Sequence, residues 1–229
     1  EQGAVTAYET RASSIPWVFA PVQDIARTPT WSRIYETFGE DPYLSGEMGK
    51  AMVNGFEGDD ISRFDNVASC LKHFLGYGLP LSGKDRTPIW IPEHFLREYF
   101  LPSFQAALDA GAKTIMINSG EINGVPVHAN KEILTTLLRD ELGFEGLAVT
   151  DWEDIKYLHT RHRVAATHKE AVRMAIDAGI DMSMVPDDLS FCKHLVELVN
   201  EGTITEERLD VSVRRILKLK YELGLFENP

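Results

Sequence analysis

The chain of 229 residues carries 23 Lys and Arg against 35 Asp and Glu, a formal net charge of −12, with 44% hydrophobic and 25% charged residues. This is ordinary globular composition, and no uncharged apolar run reaches the roughly 18 residues a membrane helix needs. The acidic balance excludes nonspecific nucleic-acid binding, which requires clustered Lys and Arg, and favours neutral or cationic ligands.

Glu1 to Ala12 reads as the middle of a helix with neither an initiator Met nor a signal peptide, as expected of a start inside a longer chain. Five nearly continuous apolar runs follow along the chain: Trp17 to Pro21, Val67 to His73, Thr114 to Asn118, Leu147 to Trp152 and Ile180 to Val185. Each has the pattern of a strand buried on both faces of a parallel sheet. Between them lie amphipathic helices. Asp41-Pro42 caps one carrying Leu44, Met48, Met52, Val53 and Phe56 on a stripe. Pro92 opens another, with Phe95, Tyr99, Phe100 and Phe104 as a core-packing aromatic stripe and a kink expected at Pro102. A third carries Ile133, Leu134, Leu137 and Leu138 and stops at Gly143. Val172, Ala175 and Ile176 precede Gly179, and Leu189 to Val199 precedes Gly202. The last helix starts at the Thr205 cap, and 225–229 reads as a linker. Cys70 and Cys192 are too few for a disulfide framework and read as buried thiols.

Strand then helix, five times and without a hairpin signal, specifies a parallel α/β architecture. A doubly wound sheet would carry a Gly-rich phosphate turn, and neither nucleotide signature occurs. In a (β/α)8 barrel every strand ends on one face, where catalytic residues collect. The strand ends here are chemically loaded, with Asp24, Arg27 and Arg33 after the first, Lys72-His73 ending the second, Asn118-Ser119 the third and Asp151-Trp152 the fourth. The expectation is an incomplete TIM-like barrel over 1–224 whose missing strands lie at the N-terminus.

Asp151 places a carboxylate at the end of a buried strand. It reads either as the cap of the following helix or as a nucleophile, with Trp152 offering an aromatic face to a sugar. Lys72 and His73 could both bind hydroxyls only where strand alternation breaks, and Gly76 and Gly78 allow such a turn. His159, His162 and His168, with Arg161 and Arg163, lack zinc-ligand spacing and read as a mobile, solvated loop.

The strings Ala20-Pro21-Val22-Gln23-Asp24-Ile25-Ala26-Arg27, Trp31-Ser32-Arg33 and Glu36 to Pro42 resemble the signature of family 3 glycoside hydrolases. The likeness continues through Lys72-His73-Phe74, Met116 to Gly124, Val149-Thr150-Asp151-Trp152, Gly179 to Met182 and Arg214 to Leu217. It implies that Asp151 is the nucleophile and that Arg33, Lys72 and His73 bind the innermost sugar. Trp152, Met116 and Ser119 would line the pocket, and Asp24 with Arg27 would form a buried scaffold pair. The resemblance implies an exo-acting, retaining β-glucosidase acting on oligosaccharides or β-glucosides, without cofactor or metal, periplasmic or secreted. A β-xylosidase or a noncatalytic carbohydrate-binding barrel remnant are the alternatives.

Two departures accompany the resemblance. The family's early D-x-x-H-G motif is not found before Trp17, and the D-S-H triplet of the hexosaminidase branch is missing from Gly76 to Pro92. In the β-glucosidase branch the acid/base is a Glu from a following domain, so this stretch alone is expected to be inactive. Glu121, Glu153 and Asp154 are the substitutes available within it.

Overall fold

The computed structural model describes residues 1–228. Helix α1 (Gln2–Ala12) packs on α2 (Pro42–Glu57), and Gly3 meets Gly55 so closely that a β-carbon on either would press on the other's backbone. The Asp41 side chain accepts from the N–H groups of Tyr43 and Leu44 at 2.8 and 3.2 Å, the cap that the Asp-Pro pair foretells. Strand β1 (Cys70–Phe74) follows. The next helix is one continuous rod made of α3 (Glu93–Phe95), a π-helical stretch Leu96–Phe100 and α4 (Leu101–Asp109). The expected kink is realised as this widened stretch, which precedes Pro102, a residue with no N–H and a ring that crowds the turn before it.

Strand β2 (Thr114–Ile117) leads into a two-stranded antiparallel hairpin of β3 (Glu121–Ile122) and β4 (Val125–Pro126). Its turn is Asn123-Gly124, with φ of 52° and 84°, the left-handed pair that hairpin turns favour. The sequence reading expected no hairpin, although Asn-Gly is the strongest short-range signal for one. After a π-helical segment Glu132–Glu141 come β5 (Leu147–Val149), α5 (Asp154–Thr160), α6 (His168–Ala178), α7 (Ser190–Asn200) and α8 (Glu206–Glu222). The linker reading over 225–229 ends on Pro229, which lies outside the described residues, while Leu225 packs on Ile61, Ala68, Leu147, Leu219 and Leu223.

The sheet is parallel with order β1-β2-β5, Cys70 opposite Thr114 and Thr114 opposite Leu147. Strands were expected at 17–21 and 180–185, and both stretches pair more sparsely than that, through bridges of Trp17 to Ala68, Val22 to Lys72 and Val149 to Met182. On the first stretch Pro16 and Pro21 offer no N–H to a ladder. On the second, the Met184 N–H turns to the Thr150 hydroxyl at 2.8 Å, so a side chain takes the place of the next backbone bond. Side-chain alternation divides the sheet. Leu71, Ile115, Ile117 and Ala148 enter the large core under the helices, and Cys70, Met116 and Val149 pack together on the opposite face with Trp17, Met182 and Met184. Cys70 is buried as expected, but Cys192 is exposed on α7, because that helix buries little more than Leu198. No helix among the described residues is long and apolar enough to cross a membrane.

Candidate active site

Asp151 lies two residues beyond Val149, the last residue of β5, and so continues the face that carries Cys70 and Met116. Its Oδ1 accepts the N–H of Trp152 at 2.6 Å and Arg86 Nη2 at 3.2 Å, and its Oδ2 accepts the Ser119 hydroxyl at 2.9 Å. His73 Nε2 faces the same Oδ2 at 3.8 Å. Burial opposes ionisation, but His73, Arg86, the Trp152 N–H and Ser119 outweigh it and hold the Asp151 carboxyl below its usual range. The residue is only 8% exposed, beside a Trp152 that is 48% exposed. The chain turns into α5 through Glu153 in the left-handed region (φ 58°), a costly conformation for a residue with a side chain, fixed where its N–H donates to Met184 O at 3.0 Å.

Arg86, which the sequence reading did not single out, spans two carboxylates, with Nη2 at 3.2 Å from Asp151 Oδ1 and Nη1 at 3.2 Å from Asp154 Oδ1. Its loop is anchored by the unforeseen hairpin. Ile89 N–H donates to Glu121 O and Asn123 N–H to Ile89 O, while the Asn123 side chain both accepts from and donates to the backbone of Ile91 at 2.8 Å. Asp154 was weighed as a substitute acid. It is 2% exposed beneath Asp151, shares Ser119 at 2.6 Å, and burial together with the Asp151 charge pushes its carboxyl up to about 7. Glu121 instead pairs with His162 Nδ1 at 2.6 Å, and Glu153 with Lys156 at 2.8 Å.

Lys72 and His73 interrupt the pairing of β1 with β2, whose register shifts between Leu71 and Phe74 before Phe74 pairs with Ile117. His73 is buried, with Nδ1 2.8 Å from Asp24 Oδ2; because a carboxylate only accepts, Nδ1 is the donor and Nε2 is aimed at Asp151. The expected Asp24–Arg27 pair is therefore replaced by Asp24–His73. A tight turn in which Arg27 N–H donates to Ile25 O sends the Arg27 side chain outward, where its guanidinium lies 4.6 Å from the Tyr99 ring centroid. Arg33 forms a bidentate pair with Glu36 at 2.7 and 2.8 Å and reaches over Tyr77, whose ring is 4.6 Å from that of His73. Burial works against the Arg33 charge, but Glu36 more than restores it; Arg33 in turn holds Glu36 below its ordinary value, helped by Lys72 and His73. Met116 is 3% exposed and packs with Cys70 and Val149.

The histidines of the patch are built in rather than solvated, while Arg161 and Arg163 are exposed. The His162 side chain is 6% exposed against Glu121, His159 stacks edge-on against His168 at 4.9 Å, and Arg161 donates to Arg86 O at 2.7 Å. Among the described residues, no group of three or more His, Cys, Asp or Glu could hold a metal ion.

With this geometry in place, comparison with known proteins gives a consistent result. A family model described as the glycosyl hydrolase family 3 N terminal domain matches residues 1–219. The chain belongs to glycosyl hydrolase family 3. It is similar to the lysosomal beta glucosidase of Dictyostelium discoideum, 60% identical over 232 residues that cover 98% of this chain and 28% of that protein. The periplasmic beta-glucosidase of Salmonella typhimurium is 37% identical, with 99% and 29% covered. Among solved structures, the beta-glucosidase of Listeria innocua superposes with a TM-score of 0.95 at 35% identity, covering 99% of this chain and 31% of that one. The chain thus spans less than a third of the length of these relatives.

Proposed function

We propose that the protein carrying this chain is an exo-acting, retaining β-glucosidase with Asp151 as its nucleophile, and that residues 1–224 form part of a (β/α)8 barrel followed from 225 by the approach to a second domain. The observation that carries the reading is one buried, ionised carboxylate at a strand end, fixed by a hydroxyl, a guanidinium and a backbone N–H, with a half-exposed tryptophan beside it. The barrel is supported by the strand order, which follows the sequence from the Trp17 stretch through β1, β2 and β5 to Met182. A doubly wound sheet would reverse that order at a switch point.

In this reading one Asp151 oxygen attacks the anomeric carbon while the bond to the leaving oxygen breaks, and that oxygen takes a proton from a general acid. Water then attacks the same carbon, the ester to Asp151 breaks, and the water's proton returns to the acid/base residue. Retention requires the two carboxyl groups about 5 to 5.5 Å apart. The family resemblance implies an acid from a following domain, and this is supported by the engagement of Glu121 and Glu153 with His162 and Lys156 and by the burial of Asp154. Arg33, Lys72 and His73 would grip sugar hydroxyls more tightly as the ring flattens, and Trp152 would pack on its CH face. The compartments in the relatives' names, lysosome and periplasm, support a location outside the cytosol.

In the full-length protein, Asp151→Asn should keep the circular dichroism of the wild type and lower kcat on an aryl β-glucoside by about a thousandfold or more. A variant within tenfold of wild type would remove the nucleophile assignment. Faster turnover of the matching β-xyloside by the wild type would move the substrate from glucose to xylose.

A further inference from the structure

Ser119 Oγ lies 2.9 Å from Asp151 Oδ2 and 2.6 Å from Asp154 Oδ2. A serine hydroxyl has one hydrogen, and an ionised carboxylate can only accept. With both carboxylates charged, one of these contacts would set lone pairs against lone pairs at hydrogen-bond distance in a buried site. One of the two carboxyls therefore holds a proton and donates it to Ser119, which donates its own hydrogen onward.

The surroundings decide which one. Asp151 also receives the Trp152 N–H and Arg86, faces His73 Nε2, and keeps a side-chain exposure of 12%. The Asp154 side chain is 1% exposed; apart from Ser119, its Oδ1 meets Arg86 at 3.2 Å and its Oδ2 faces His128 Nε2 at 3.7 Å. His128 is itself buried, Nε2 has no hydrogen-bond partner, and burial pushes the ring down to about 3, so it brings no positive charge. The other ionisable groups around this pocket are Arg161 at the end of α5, which donates to Arg86 O, Asp85 on the Arg86 loop, which accepts from Tyr77, and the His162–Glu121 pair. One guanidinium, Arg86, bridges the two carboxyls and balances a single negative charge.

We propose that Asp154 is a positioning residue that, in its protonated form and through Ser119, locks the Asp151 carboxylate in orientation and charge. The proton runs from Asp154 Oδ2 to Ser119 Oγ, and the serine hydrogen points to Asp151 Oδ2. Arg86 and the Trp152 N–H hold the other Asp151 oxygen. The carboxylate is thereby fixed at both ends, and the second carboxyl adds no charge beside it.

The consequence for turnover rests on Asp151 being the nucleophile, but the location of the proton does not, and the test separates the two. Infrared difference spectra of the full-length protein across pH 5 to 9 should contain the carbonyl stretch of a protonated carboxyl group that titrates near pH 7 and is missing from Asp154→Asn. Spectra in which Asp154→Asn removes no such band would overturn the proposal whether or not the protein cleaves glucosides. In kinetics, Asp154→Ala and Ser119→Ala should each lower kcat about ten- to a hundredfold with little change in KM, and the double variant should be no worse than either alone. Asp154→Asn keeps a neutral donor and should recover most of that loss. An Asn variant as slow as the Ala variant, or losses that multiply in the double variant, would contradict the relay. A protein that shows the band yet turns over no glycoside would leave the proton assignment standing and remove only the glucosidase reading.

Discussion

At the scale of single residues, the acidic pair at the site has a consequence for stability as well as for chemistry. Asp154 moves from an ordinary 3.8 to about 7 on folding, chiefly through burial and then through the neighbouring Asp151 charge. Between these values the folded protein holds a proton that the unfolded chain has released, so its stability falls as pH rises, by about 1.4 kcal/mol per pH unit at most. This contribution is fully present below pH 4 and gone above the folded value. Asp154→Asn carries no titrating group there, and its melting temperature relative to wild type should climb as pH is raised from 4 to 7. Parallel melting curves for the two proteins over that range would show that Asp154 ionises normally. The residues that form motifs were readable in advance: Asp151, Lys72, His73 and Arg33 each end or follow an apolar run. Arg86 and Asp154 were harder to read, because one sits in a polar loop and the other in a helix first turn, where acids are common for unrelated reasons. Their roles depend on the loop and the strand end meeting in space.

Among the elements, Asp181 joins more of the fold than any motif suggests. Its Oδ2 takes Arg139 at 2.8 Å and the Ala148 N–H at 3.0 Å, and its Oδ1 takes Ser212 at 2.7 Å and Arg215 at 2.9 Å. This ties β5, the Glu132–Glu141 helix and α8 to the stretch after α6. Burial pushes Arg139 down to about 10, so deleting its partner leaves a costly unpaired guanidinium. Asp181→Ala should lose about 3 to 5 kcal/mol by thermal or denaturant unfolding, and a loss under 1 kcal/mol would mean that the network is dispensable. The helices and the Asp41 and Thr205 caps were legible because apolar stripes and capping side chains act locally, while the Thr167 cap came only with the structure. The outer strands were overread, since apolar runs show burial but not whether a neighbouring strand supplies a full ladder. The hairpin was underread, since only two residues pair on each side and Gly120 to Gly124 passes for a loop. That hairpin anchors the segment that brings Arg86 to Asp151.

For the whole molecule, the parallel α/β class follows from five apolar runs alternating with helices, and the chemically loaded face from the polar residues that end or follow four of them. The net charge of −12 fits a ligand without phosphates, and the cations present at the site, Arg33, Lys72 and Arg86, stand among the carboxylates of Glu36, Asp151 and Asp154 rather than forming an anion-binding patch. The proposed nucleophile, Asp151, is thus a carboxylate whose charge is matched by its neighbours. The most direct measurement of the central claim is mass spectrometry of the full-length protein after incubation with an activated 2-fluoro glucoside, which forms the glycosyl ester but releases it slowly. The account predicts one added fluoroglucosyl group per chain, located by peptide mapping on the segment containing Asp151. A label on any other carboxylate, or turnover of the reagent with no covalent adduct, would contradict it.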